Sequence, residues 1–293
     1  MAEPKARTVK RLAHAQHTLE GGGFEVRRPF PTRSLEEVDP FLLLDEMGPS
    51  DLGPGEAKGA PDHPHRGFET VTYMLAGGMV HRDSAGNAGS IGPGDVQWMT
   101  AGDGVVHSEL PAPDVLRKGG RQHGFQLWVN LPRRDKRMAP RYQEVPAGRI
   151  PVVKTDDGVT VRVIAGESLG AQAVIDTRTP ILYLHFTLLP GARILQPVPA
   201  DWNVFGYVFG GAGRFGPEAR EVSDAQLALF ADDGDFVSAA VPKDAKEPLE
   251  LLLVGGAPLR EPIARYGPFV MNTKEEIVEA IEDFRAGRLG RIA

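Results

Sequence analysis

Short apolar runs recur along this chain, and Gly (35) and Pro (25) punctuate them. That alternation of brief apolar stretches with turn-forming residues is the pattern of many short strands joined by tight turns. It predicts strands over Thr70–Leu75, Val96–Met99, Gly124–Val129, Val159–Ile164, Ile181–Leu188, Val204–Phe209, Gln226–Phe230 and Leu249–Val254. Asp157-Gly158, just before Val159, is a hairpin-type turn signal. Gly48–Asp62 is rich in Gly and Pro with little periodicity and reads as a loop. Only one segment has helical spacing. Thr273 and Glu276 form a capping-box pattern, Ile277, Ala280, Ile281 and Phe284 follow as an apolar stripe, and Gly287 is a natural stop. A stripe of that kind is expected to dock on a sheet.

The apolar pattern also repeats. Val71–Gly78 (VTYMLAGG) resembles Val204–Gly211 (VFGYVFGG), and Pro93-Gly94-Asp95 resembles Asp233-Gly234-Asp235. Two copies of one β-domain fit the length of 293 residues. Leu131–Ile150, with three Pro and the basic cluster Arg133–Arg137, is the best linker. Composition adds boundaries rather than detail. Apolar content of 41% and charged content of 25% are those of an ordinary globular protein. A net charge of −6 argues against general attraction to nucleic acid. The absence of Cys removes disulfides, thiolate ligands and cysteine nucleophiles. The N-terminus lacks the apolar core of a secretory signal, and no apolar run is long enough to span a bilayer, so a cytoplasmic location is expected.

Candidate chemistry sits in two short patterns, His63-Pro64-His65 and His107-Ser108-Glu109. Residues two apart on a strand point to one face. Two antiparallel strands carrying such pairs can therefore bring three imidazoles and one carboxylate to a single point. Between the pairs lies the turn Gly92-Pro93-Gly94-Asp95, followed by the predicted strand Val96–Met99, and the pairs take three of only eight His in the chain. Nitrogen and oxygen donors suit Fe, Mn, Co, Ni, Cu or Zn. Four protein ligands would leave two open positions on an octahedral ion, whereas a tetrahedral Zn site would be closed. Glu69, four residues beyond His65, shares the strand parity of positions 63 and 65. It is either a ligand in place of Glu109 or a hydrogen-bond partner that orients an imidazole, and the spacing leaves both open.

The remaining polar features have plainer readings. A lone His-x-His is more often a solvated cluster than a metal site; it is the second pair and the intervening turn that favour metal here. His81 and His123 lack an i+2 partner and read as surface residues or as partners of the site. His14 and His17 read as solvent-exposed, and His185 as a hydrogen-bonded strand histidine. Arg133–Arg137 reads as a solvated linker face, and Asp45-Glu46 as an acid pair at a strand edge.

Taken together, several stretches resemble the pirin family of the cupin superfamily. They are Asp39–Glu46 (DPFLLLDE), Pro61–Thr70 (PDHPHRGFET), Pro93–Gly102 (PGDVQWMTAG), His107–Glu109, Gln126–Leu131 (QLWVNL) and Tyr266–Thr273 (YGPFVMNT), in order along nearly the whole chain. The resemblance implies an all-β bicupin: two antiparallel β-barrel (cupin/jelly-roll) domains packed together, with a short C-terminal helix. We place an N-terminal metal-binding domain at 1–137 and a C-terminal domain without a His-based site at 138–293. The resemblance carries His63, His65, His107 and Glu109 over as metal ligands, leaves Glu69 as an orienting neighbour, and puts Gln126 beside the pocket. It implies one divalent transition metal per chain, Fe(II) foremost, with Mn, Co, Ni, Cu or Zn as the other candidates. The activity it implies is a quercetin 2,3-dioxygenase-type oxidoreductase that opens a flavonol-like aromatic with O2, with Glu109 taking the hydroxyl proton. The alternative it carries is an iron-bearing regulatory protein that modulates a transcription factor or metabolic enzyme. The expected partners are therefore a small aromatic substrate and O2, or a protein partner, with neither nucleic acid nor membrane.

Overall fold

In the computed structural model, which describes residues 3–292, all eight strands predicted from apolar runs are present, most of them longer than the runs themselves. In chain order the first strands are β1 (Val9–His14), β2 (Gln16–Glu20), β3 (Phe24–Phe30), β4 (Phe41–Leu52), β5 (Ala60–His65), β6 (Phe68–Ala76), β7 (Met79–Asp83), β8 (Ala88–Ile91), β9 (Val96–Thr100) and β10 (Val105–Pro111). A short helix α1 (Pro113–Lys118) leads into β11 (Gly120–Asn130), and β12 (Arg141–Val145) follows. The segment read as a loop over Gly48–Asp62 is in part strand, because β4 runs on to Leu52 and β5 begins at Ala60. Ladder pairing sustains β4 there: its end pairs with the start of β11, which apolar alternation does not announce.

The chain forms two compact units that interleave along the sequence. One contains the N-terminal stretch to Ala15, Thr32–Pro40 and Gly148–Pro258. The other contains Gln16–Pro31, Phe41–Ala147 and the C-terminal stretch from Leu259. A single cut at 137 does not describe this division. Strand β1 joins the sheet of the later unit, where it pairs with Gln226–Phe230, while the last residues of the chain return to the earlier one.

Each unit has a seven-stranded and a four-stranded antiparallel sheet of matching design, beside a two-stranded one. In the unit carrying the His pairs, the strand order is β12-β9-β6-β11-β4-β3-β2 in the large sheet and β5-β10-β7-β8 in the small one. The other unit repeats this with Val9–His14, Gln226–Phe230, Asn203–Gly210, Leu249–Gly256, Ile181–Leu188, Val159–Ala165 and Val152–Lys154. Its small sheet is Arg193–Pro197, Phe236–Ala240, Ala212–Phe215 and Arg220–Ser223. The equal sheet sizes and the parallel order of strands account for the internal echo. The sheets are open rather than closed into barrels, and the pairing of a large with a small sheet is consistent with the expected jelly-roll cupin. Between the sheets of the later unit lies an apolar core that includes Val161, Leu184, Phe186, Leu251 and Leu253.

The C-terminal helix α2 (Lys274–Arg285) starts at the expected capping box, with Thr273 and Glu276 exchanging side-chain and main-chain hydrogen bonds. It belongs to the unit of the His pairs, not to the C-terminal domain in which a cut at 137 would place it. Ile277 and Ala280 are buried with Val106, Phe269, Met271 and Leu289, while Phe284 is 41% exposed. Among the described residues no helix is long and apolar enough to cross a membrane.

Candidate metal centre

The small sheet aligns the two patterns as their spacing requires. Strands β5 and β10 run antiparallel with His63 opposite His107 and Val105 opposite His65. The donor nitrogens of His63, His65 and His107 lie within 4.8 Å of one another, and the ring centroids are 4.3 to 4.9 Å apart. Trp128 and Phe68 wall His65, with ring centroids at 5.2 and 5.0 Å.

The chemistry of this triad fits a cation. The His63 Nδ1 sits 2.7 Å from the Pro61 carbonyl and the His65 Nδ1 3.5 Å from the Pro268 carbonyl, so in both rings the proton belongs on Nδ1. The two Nε2 atoms then present lone pairs to each other at 3.0 Å. Neither ring nitrogen of buried His107 has a hydrogen-bond partner. Burial, together with the neighbouring His107 and His63, holds His65 well below the usual imidazole range, and burial pushes His107 down to about 4. Imidazole lone pairs that converge are what a divalent ion requires, and a buried imidazole left without partners is otherwise costly. The His triad could hold a metal.

Glu109 lines the same cavity, but the group of donors within 4.8 Å consists of the three His alone. Its carboxylate accepts hydrogen bonds from Thr72 Oγ1 at 3.1 Å and from Gln126 Nε2 at 2.9 and 3.2 Å. Gln126 Oε1 in turn accepts from the Trp128 indole at 3.1 Å. Register explains this row: Gln126 on β11 stands opposite Asp45 on β4 and opposite Thr72 on β6, so all three project from one face of the large sheet.

Glu69 is placed elsewhere. Strand parity does not carry from His65 to Glu69, because Gly67 turns the chain between β5 and β6 and these strands lie in different sheets. Gly67 has φ +87, and a Cβ there would lie 2.0 Å from the Val270 carbonyl oxygen. Alternation along β6 sends Thr72 and Phe68 toward the centre and Glu69 to the opposite face, where it accepts from Thr100 Oγ1 at 2.5 Å.

The cavity in front of the triad is about 520 Å³ and adds residues that the patterns did not reveal. Asp45, read as an edge acid, is buried and lines it. The Arg28 guanidinium donates to both Asp45 oxygens at 2.5 and 2.6 Å and to Glu20 at 2.6 Å. Burial pushes Asp45 up to about 6 in spite of that partner, and Arg28 is held above its ordinary value. Arg265 lies over the Trp128 ring, 5.1 Å from its centroid, and lines the same wall. No spacing rule reaches these residues, since they come from strands distant in sequence. The in-register pairing of Asp45 with Gln126 is the only signal, and it exists only once the sheet is formed.

His14, His17 and His185 follow their plainer readings, whereas His81 is buried and His123 half-buried rather than on the surface. His81 contacts Gln97 at 2.5 Å and Glu144 at 3.0 Å, His123 contacts Glu46 at 2.8 Å, and His185 contacts Glu250 at 2.9 Å; His14 and His17 are exposed. Within the basic cluster, Lys136 departs from the solvated reading. It is buried and donates to the carbonyls of Gly67 and Val270 and to Asn130 Oδ1 at 2.6 to 3.0 Å.

A two-sheet unit repeated once along the chain, with a His triad in one copy, defines a bicupin. Residues 23–129 match the Pirin family and residues 183–290 match the Pirin C-terminal cupin domain. The chain belongs to the pirin family. It is 47% identical over 289 residues to a pirin-like protein of Solanum lycopersicum, covering 99% of this chain and 94% of that one. Mouse Pirin is 46% identical over 294 residues, covering 99% of this chain and 96% of its own. Among solved structures, quercetin 2,3-dioxygenase from Acinetobacter baumannii superposes with a TM-score of 0.91 at 38% identity, covering 98% of this chain and all of that one.

Proposed function

We propose that this protein is a metal-dependent dioxygenase that opens a flavonol-like aromatic ring, with His63, His65, His107 and Glu109 as the ligands of one divalent ion, Fe(II) foremost. The observation that carries this reading is the converging His triad, with buried His107 lacking any hydrogen-bond partner and His63 and His65 lining a cavity of about 520 Å³, large enough for a small aromatic ligand. The likeness to a quercetin 2,3-dioxygenase supports the reaction class. A bound ion would supply Lewis acidity and a template for the substrate oxygens. The chain's own contribution is to position and to move one proton. Glu109 accepts the proton of the substrate hydroxyl, and the hydrogen bonds from Thr72 and Gln126 fix the direction in which its carboxylate points. Trp128 and Phe68 keep the His65 side of the cavity dry. The net reaction consumes O2, cleaves the enolic ring and releases CO.

The test is oxygen uptake by the iron-loaded protein with quercetin, set against free iron at the same concentration. Uptake and CO release well above that control, both lost in His107→Ala, support the reading. Tight metal binding with no uptake above the control would overturn it and favour the regulatory alternative.

A further inference from the structure

Next to the metal cavity lies a second one of about 310 Å³. The two share three wall residues: Phe24 of β3, Met47 of β4 and Met79 of β7. Its floor follows from sheet register. On β11, Gly124 stands opposite Met47 on one side and Met74 on the other. This row lies two residues along from the Asp45–Gln126–Thr72 row and projects from the same face, a step of about 7 Å. The metal row fills its centre with the Gln126 side chain, while the next row has no side chain at its centre. A Cβ on Gly124 would meet the Met74 sulfur at 3.0 Å and the Met47 methyl at 3.4 Å. The ladder is also broken here, since both the β4 and the β6 pairings of β11 shift register beside Gly124. Bulges of this kind accompany sites where a sheet makes room.

The contrast in chemistry is sharp. The metal row offers carboxylate, amide and hydroxyl, whereas the next row offers two thioethers, and Met47, Met74 and Met79 form one apolar cluster with Ile91. Methionine side chains are flexible and polarizable, and they adapt to planar rings. We propose that the two cavities form one bipartite site for a two-part ligand. A head with adjacent oxygen donors occupies the metal cavity, and an aryl arm, about one ring further on, occupies the methionine-floored cavity and confers selectivity. This rests on the reading of the triad as a metal centre for oxygenated aromatics, and it adds which part of such a molecule is selected and by which residues.

The experiment measures equilibrium binding of two probes to metal-loaded protein by quenching of tryptophan fluorescence. 3-Hydroxychromone is the oxygen-bearing head alone, and 3-hydroxyflavone is the same head with a phenyl arm. Burial of the phenyl ring is expected to make 3-hydroxyflavone bind about tenfold tighter or more. Met74→Trp, at a residue that lines the second cavity and not the metal cavity, should bring that ratio down to about one to two, while the affinity for 3-hydroxychromone stays within about twofold of wild type. Should Met74→Trp fall short of the wild-type melting temperature or metal content, Gln122→Trp, which also lines the second cavity alone, takes its place. A measurement without variants runs alongside: in zinc-loaded protein, the methyl resonances of Met47, Met74 and Met79 should move with 3-hydroxyflavone and not with 3-hydroxychromone. Equal affinities in the wild type, a ratio that survives a folded, metal-loaded variant, or unmoved methionine resonances would overturn the proposal. If 3-hydroxychromone itself fails to bind, or binds equally without metal, the metal-centre reading fails and takes this one with it.

Discussion

Burying both nitrogens of an imidazole with no partner costs free energy that a folded protein retains only where something else repays it. His107 is such a residue, and His63 and His65 turn lone pairs toward the same point. Replacing any one of the three by Ala is expected to remove most of the bound metal, since a site with few protein ligands tolerates the loss of one poorly. Elemental analysis of the purified variants checks this, and unchanged metal in any of them would remove that residue from the ligand set. Glu109→Gln is expected to keep more metal and lose more turnover, because an amide coordinates weakly but takes no proton. At Asp45 the expectation concerns pH. Burial lifts its carboxyl from 3.8 to about 6. Between those values the folded state holds a proton that the unfolded chain has released. Its contribution to stability is therefore complete below the lower value and is lost as pH rises through the upper one. Relative to wild type, Asp45→Asn should gain up to about 2–3 kcal/mol between about pH 4 and pH 7. Urea titrations across that range measure it, and a flat difference would place Asp45 in the ordinary carboxylate range.

At the scale of elements, α2 shows how periodicity and packing divide the work. Helical spacing and the capping box located its start and its stripe. Which part of the stripe is buried depended on the surface it meets. Ile277 and Ala280 reach the cluster of Val106, Phe269 and Met271, whereas Phe284, in the last turn of the helix, stays largely outside it. Ile277→Ala is therefore expected to cost about 2–4 kcal/mol, and Phe284→Ala less than about 1.5 kcal/mol. Thermal denaturation of the two variants checks the order; a larger loss at Phe284 would mean that the ring is covered in solution. Lys136 teaches the same lesson in a loop. Its neighbours made it look like part of a solvated basic cluster, yet three oxygen acceptors hold it inside, two of them main-chain carbonyls far away in sequence.

At the scale of the whole molecule, one strand arrangement is used twice with different chemistry. Where β5 and β10 set His63 against His107, the corresponding strands Arg193–Pro197 and Phe236–Ala240 set Gln196 against Val237. A valine cannot coordinate, and a metal site needs several convergent donors. The protein is expected to bind about one metal ion per chain. A second equivalent that persists in His63→Ala would overturn that expectation.

The sequence by itself determined the strands with strong apolar runs, the cap of α2, the duplication and the His pairs. All of these depend on spacing within a few residues, which local geometry converts directly into a shared face or a turn. Tertiary structure alone decided what depends on pairing between distant segments. It set Asp45 beside Gln126, sent Glu69 to the far face once Gly67 had redirected the chain, and buried Lys136. It also drew β1 into one unit and α2 into the other. Ladder register and sheet membership arise only when strands meet, and no local pattern encodes which strand a given edge will accept.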